Sequence, residues 1–404
     1  MTLNSMNIIN RKQIYTALLL LPYFFAVTGM LVLGSGDKKM IPLFLISIIV
    51  SILVFKKETI LNNIRSPFVW LIGISCLYTV FSYYYHGSSS RELRALIGVT
   101  LFLIVFPYQI LTKRVIQWVV LIGSLAICAN SVYFNLYIGT GRSAGYINPI
   151  PYSTACASIS IIAFSLLLDN SPFKGKVLPL VAFLLSLPPI ILSETRGIWL
   201  AFTLSVFIII VAKCIKNPPS RKYILFTFLF TAVLTSTGAF LFKDKINERY
   251  VQTTFEIQKI QSGDYSTSIG LRLQMWMLAP ELIKQKPIIG HGQEHQEVLK
   301  DKLKSDEISN QLFHIASTHY HNQILDKMVK SGMIGVILVL SLLLYPLVMM
   351  RKSPPLDVYI IIGMVSLFFI AGLTDVPFNH PQPLMLYLLF LVPTYSRIQR
   401  DPND

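Results

Sequence analysis

The chain has 404 residues, of which 53% are hydrophobic and only 14% charged, with a mean hydropathy of +0.58. That composition excludes an ordinary soluble globular protein, because apolar runs near the ~20 residues needed to cross a bilayer recur along the sequence. The formal charge of +15 does not point to nucleic acid, since the positive residues collect in alternate short loops and not in one patch. Three of the four cysteines, Cys76, Cys128 and Cys156, lie inside apolar runs and Cys214 ends one, so no disulfide framework is implied.

Taken in chain order, hydropathy predicts an all-α integral membrane protein with about twelve transmembrane helices. They fall near 14–33, 41–55, 67–85, 95–111, 115–138, 153–168, 177–193, 197–212, 223–242, 332–350, 358–374 and 382–396. The first follows Arg11 and Lys12 and lacks a small-residue cleavage site, so it reads as a retained helix and not a signal peptide. With the N-terminus inside, the short inner segments carry seventeen Lys and Arg and the short outer loops six. This positive-inside bias places both termini in the cytoplasm.

The connection at 243–331 stands apart, because structureless loops beyond ~15 residues are uncommon in a compact fold. It divides the chain into 1–242 with nine spans, an outer loop at 243–331, and 332–404 with three spans and a tail. The loop is partly helical: Leu271, Met275, Leu278 and Leu282 recur at helix spacing, and Pro287 and Gly290 supply the stop. The charge-rich stretch at 295–310 reads as solvated helix or loop. All seven histidines fall in or beside outer segments on this topology.

Candidate chemistry lies at that outer rim. The apolar run 177–212 is too long for one crossing, and Glu194-Thr-Arg196 is its only charged place to turn. Arg196 could snorkel or pair with Glu194 there. Alternatively, its planar fork of donors faces an anionic headgroup, a bidentate contact that suits phosphate better than lysine does. Arg272, in Ser268-Ile-Gly-Leu-Arg272, is either a solvated cation or a second phosphate contact on an amphipathic helix. His321 is the candidate for proton chemistry, since imidazole titrates near neutral pH, although a helix-start histidine bonded to backbone is the plainer alternative. Asn322 beside it could cap or orient the turn, and Gly332 and Gly335 would allow close helix contact. Asp375 is either a helix-end carboxylate or a buffer for the arginines. His291-Gly-Gln-Glu294-His295 has an inverted zinc-protease spacing, but Gly292 weakens the helix such a site requires. His319-x-His321 has no third metal ligand at convincing spacing, so no metal is expected.

These residues together resemble the O-antigen ligase/polymerase superfamily of bacterial envelope enzymes. The H-N-x9-G-x-x-G pattern falls on His321, Asn322, Gly332 and Gly335, the T-R-G turn on Thr195–Gly197, the loop arginine on Arg272, and a P-x-x-G-x-G turn on 287–292. The order and spacing cover roughly 190–376; before that the likeness rests on hydropathy. The flanks Glu248-Arg-Tyr250, Ser268-Ile-Gly270 and Gly372-Leu-Thr-Asp375 are most similar to the ligases. The resemblance implies a GT-C-type glycosyltransferase of the bacterial inner membrane with a periplasmic active site and no cofactor. It would transfer O-antigen polysaccharide, with inversion, from undecaprenyl diphosphate to an outer-core sugar of lipid A-core. Arg196, Arg272 and His321 would be catalytic, with Arg196, Arg272, His319, Asn322 and Asp375 contacting substrate. An O-antigen polymerase using a similar donor is the alternative, and a lipid-linked glycan flippase a more distant one.

Overall fold

The computed structural model describes residues 3–169, 172–216, 240 and 243–396. Long apolar runs become helices because, without water, backbone polar groups must bond within their own segment. In chain order the helices are α1 (Leu3–Val27), α2 (Gly29–Val32), α3 (Gly36–Asn63), α4 (Pro67–His86), α5 (Ser90–Val105), α6 (Lys113–Ser131), α7 (Pro149–Leu168), α8 (Val177–Leu192) and α9 (Arg196–Lys216). There follow α10 (Lys243–Gln261), α11 (Ser268–Gln285), α12 (His295–Lys304), α13 (Asn310–Ala316), α14 (Gln323–Met349), α15 (Pro355–Gly372) and α16 (Pro381–Ser396). No strand occurs among the described residues.

Nine segments among the described residues are long and apolar enough to cross a membrane, each coinciding with a predicted span. Of the other three predicted spans, 95–111 corresponds to α5 and 382–396 to α16, both 16 residues long, and 223–242 lies, except for residue 240, outside the described residues. Two predicted boundaries fall at kinks. The backbone leaves helical values at Lys56 in α3 (φ 51°) and at Gly332 in α14 (φ 61°, ψ −163°).

At the centre is α7, buried on nearly every side and packed by α6, α8, α9, α15 and α16. Its small residues, Ser153 through Ser160, let neighbouring backbones approach closely. The hydroxyls of Thr154 and Ser158 bond back to carbonyls four residues earlier, whereas those of Ser153 and Ser160 are buried without a hydrogen bond. By contrast α3 and α9 turn Leu53 and Phe207 outward, as lipid-facing helices do.

Charge contacts sort the loops into two ends. At one, Lys113 pairs with Asp169 and Lys213 donates to the Leu168 carbonyl. At the other, Arg91 meets Asp37, Lys327 meets Glu92, and Arg196 meets Glu256. The second end carries α10 to α13; α11, α12 and α13 and the turn at Tyr320 share a small core of Leu271, Met275, Leu282, Leu299, Leu312 and Tyr320 against Val329 of α14. The 243–331 connection is therefore mostly helical, and its charge-rich part is a helix, α12, whose Lys302 bridges Glu281 and Glu307 at 2.7 Å.

Candidate active site

Arg196 opens α9 immediately after the turn that ends α8. Its partner is not Glu194: one guanidinium nitrogen donates to Thr253 Oγ1 at 2.8 Å and another to Glu256 Oε1 at 3.0 Å, both on α10. Glu194, itself in a left-handed conformation (φ 51°), instead receives Arg249 at 2.7 Å and Lys245 at 2.9 Å. The α8–α9 tip is thus clamped by α10 through two neighbouring charge clusters. Gly197 lets the tip seat against the α15–α16 connection, since a Cβ there would lie 2.3 Å from Thr374 Oγ1.

Arg272 lies on α11, whose first turn is capped by Thr267. Burial lowers its pKa below the ordinary guanidinium value; Asp375 and Glu256 counter that, and Arg196 reinforces it. Arg142, on the loop after α6, belongs to the same field. Burial lowers its pKa, the cations Arg249, Arg272 and Arg196 oppose its charge, and Glu194 supports it. Its Nε is buried without a hydrogen bond. Nothing local in the sequence marks Arg142; its place in the field of Arg249, Arg272 and Arg196 follows from the fold.

His321 sits just before α14, in a left-handed conformation (φ 48°). The turn that carries it is held from both sides of Tyr320. The Trp276 indole donates to the Tyr320 carbonyl at 3.0 Å, and buried Asp326 accepts the Tyr320 N–H at 3.1 Å. Asn322 is the N-cap of α14, its Oδ1 accepting from Ile324 and Leu325 N–H at 3.1 Å. Its amide is therefore occupied in building the turn.

Asp375, expected as a helix-end carboxylate or a buffer for the arginines, is buried among three imidazoles. Oδ1 lies 3.3 Å from His321 Nδ1 and 3.4 Å from His319 Nε2, and Oδ2 lies 3.5 Å from His380 Nε2. None of these contacts has hydrogen-bond geometry. Burial works to raise the Asp375 pKa, but the histidines prevail and hold it well below the usual carboxylate range. Burial lowers the pKa of His321 below the ordinary imidazole value, with Asp375 pulling the other way and His319 and Arg272 adding to the lowering. His321 is therefore neutral at pH 7 beside an ionised carboxylate. Arg196, Arg272 and His321, remote in sequence, share one region at one end of the bundle. His380 was not anticipated; the His-Pro that opens α16 was its only local signal. His319, Asp375 and His380 each offer one atom to a metal, all within 4.8 Å of one another. His321 is not one of the three; Asp375 and His380, the two ligands besides His319, come from roughly sixty residues further along the chain.

The glycine motifs also acquire a physical reason. Gly332 does not serve helix–helix contact; its conformation is one that glycine alone adopts readily, and a Cβ there would lie 2.2 Å from the Ile288 carbonyl oxygen. Reciprocally, a Cβ on Gly290 would meet the backbone of 330–332 at 2.5–2.6 Å. The 287–290 turn docks into the α14 kink through His291 N–H to Val329 O at 2.8 Å and Met333 N–H to Pro287 O at 2.9 Å. The zinc-protease spacing has no counterpart in space. His291 Nε2 meets the Leu282 carbonyl at 2.9 Å, His295 Nδ1 meets the Gly292 carbonyl at 2.7 Å, and Glu294 turns away to Lys286. Burial pushes the His295 pKa down to about 4.

Bundle and site together define a polytopic helical membrane protein with arginines gathered beside an imidazole–carboxylate pair at one end. Residues 181–340, which carry the α8–α9 tip, α11, the histidine turn and the α14 kink, match the family described as O-antigen ligase. The chain is also similar to an uncharacterized protein of Haemophilus influenzae (strain ATCC 51907 / DSM 11121 / KW20 / Rd), 28% identical over 225 residues. The match covers 52% of this chain and 54% of that protein, so it spans about half the length of the relative.

Proposed function

We propose that this protein is an O-antigen ligase of the bacterial inner membrane, acting at the periplasmic face on undecaprenyl-diphosphate-linked O-antigen and lipid A-core. What supports the reading is that Arg272 feels the charges of Arg196 and Asp375, while Asp375 also backs the neutral His321. The Asp375 carboxylate faces Nδ1 and favours the tautomer with its proton there, which leaves Nε2 free as a base. An acceptor hydroxyl attacks the anomeric carbon, and its proton passes to His321 Nε2. The bond from that carbon to the diphosphate oxygen breaks on the opposite face, and the lipid diphosphate leaves with the bonding electrons. Arg196, Arg272 and Arg142 offset the charge that develops on it, helped by the backbone N–H groups at the start of α9. These fixed cations do the electrostatic work that a metal does in other glycosyl transfers.

Deleting the gene and examining lipopolysaccharide on a gel tests the reading. Loss of a ligase leaves bare core while glycan accumulates on its carrier lipid. Core bearing a single repeat would identify a polymerase instead, and donor trapped on the cytoplasmic side a flippase. Complementation with Arg196→Ala, Arg272→Ala or His321→Ala, each at wild-type membrane level, should fail. Full capping by all three variants would reject the assignment.

A further inference from the structure

Asp375 has almost no exposure, and neither carboxylate oxygen has a hydrogen bond. Yet His319 Nε2 lies 3.4 Å from one oxygen and His380 Nε2 3.5 Å from the other. In a tetrahedral zinc site with metal–ligand bonds of about 2.0–2.1 Å, neighbouring ligand atoms stand about 3.3 Å apart by simple trigonometry. The two separations, each to a different carboxylate oxygen, are close to that value, and the three ligand atoms lie within 4.8 Å of one another. Two imidazoles and a carboxylate form a borderline donor set suited to zinc and poorly suited to magnesium or calcium, which prefer all-oxygen shells. The ligands are well supported: His319 stands beside the doubly clamped Tyr320, and Asn379, next to His380, donates to Asp326.

A cation here has consequences for its surroundings. Asp375 is also the partner of His321 Nδ1 and the chief counter-charge of Arg272. We propose that His319, Asp375 and His380 form an inhibitory zinc site, in which the bound ion takes Asp375 away from His321 and Arg272 and stops transfer. The inhibition rests on the ligase reading above; the binding does not. Zinc adds a positive charge beside Arg272, which disfavours the anionic donor, and it withdraws the carboxylate that orients the base.

The test uses the full-length protein, stripped with chelator and dialysed against zinc chloride in detergent, with bound zinc counted by elemental analysis. Wild type should bind one zinc per chain and lose transfer as it fills, while excess magnesium does neither. His380→Gln should weaken zinc binding by about tenfold or more. His380→Cys, which supplies a thiolate in place of the imidazole, should retain it, so a folding defect common to both substitutions cannot imitate the result. Inhibition is read against each variant's own zinc-free rate. A wild type that binds no zinc, or a His380→Gln protein that binds it undiminished, overturns the site and leaves the transfer reading intact. Stoichiometric binding with undiminished transfer overturns the inhibitory role.

Discussion

Glu256 places one carboxylate oxygen 3.0 Å from the Arg196 guanidinium and the other 3.0 Å from the Ile269 N–H. Ile269 lies in the first turn of α11, the helix that carries Arg272, so one buried side chain ties the two candidate phosphate contacts to each other. A carboxylate suits both ends of the link, because it balances a cation and also sits at the positive end of a helix. Repulsion between Arg196 and Arg272 is offset at a point both can feel.

Glu256→Gln should therefore impair transfer without touching substrate. The amide keeps an acceptor for Ile269 but loses the charge that holds Arg196, which then moves toward Thr253 alone. A displacement on the order of 1 Å can cost up to about 10²-fold in rate. The defect should appear as a raised KM for the lipid-linked donor, with protein level and acceptor KM unchanged. A defect confined to the acceptor would place Glu256 elsewhere in the mechanism.

The arginine contacts make a prediction about residue type. Arg196 already uses two guanidinium nitrogens on α10 and is still about a quarter exposed, so its remaining donors can face a ligand. Lysine cannot hold Thr253, Glu256 and a phosphate in one planar arrangement. Arg196→Lys should keep only part of the activity, and Arg196→Ala should lose roughly 10²–10³-fold, the range for removing one fixed charge-stabilising donor. Single-turnover transfer with purified donor measures both. Equal rates for the lysine variant and wild type would show that only the net charge at 196 matters.

Much of this arrangement is legible in the sequence, and the missing part has one physical cause. Hydropathy is local, so the nine apolar segments and the helix around Leu271 to Leu282 can be read directly. The turn at Arg196 is legible because charge is costly inside an apolar run. What the sequence does not reveal is pairing across the fold. Nothing near Arg196 indicates that Glu256 is its partner and Glu194 is not, and nothing near His321 calls for Asp375 and His380. Gly332 shows the same limit from another side: the glycine is visible, but the loop turn that needs it lies more than forty residues earlier.

The pH dependence of transfer follows from His321. Its pKa lies below 6.5 because burial disfavours the imidazolium, and the base must be neutral to accept a proton. Activity should thus be flat through neutral pH and fall only on the acid side, with the midpoint below 6.5. Asp375 acts in the opposite direction to burial, raising that pKa. Asp375→Asn should therefore lower the rate and move the acid limb to still lower pH. A limb that moves to higher pH, or stays in place, would mean that another group controls it. Profiles of kcat/KM for the two proteins decide the matter.

The α14 kink supplies a prediction about stability, together with its own control. Gly332 adopts φ 61° and ψ −163°, and an added Cβ would meet the Ile288 carbonyl oxygen at 2.2 Å and the Ile289 nitrogen at 2.5 Å. Strain of this kind costs about 1–3 kcal/mol before any clash is counted, and here the obstructing atoms are backbone, which cannot swing aside. Gly139 also has a positive φ, 75°, but nothing lies within 4 Å of the position its Cβ would take. Gly139→Ala should cost roughly 1 kcal/mol from conformation alone, as alanine does where φ is positive. Gly332→Ala should melt well below Gly139→Ala in detergent. Its residual folded fraction should transfer poorly as well, because the kink sets the direction of 323–331 and hence the position of His321. Comparable melting temperatures for the two variants would show that the 287–290 turn is not locked into the kink, and with it would go the reason for the first glycine of the His-Asn motif.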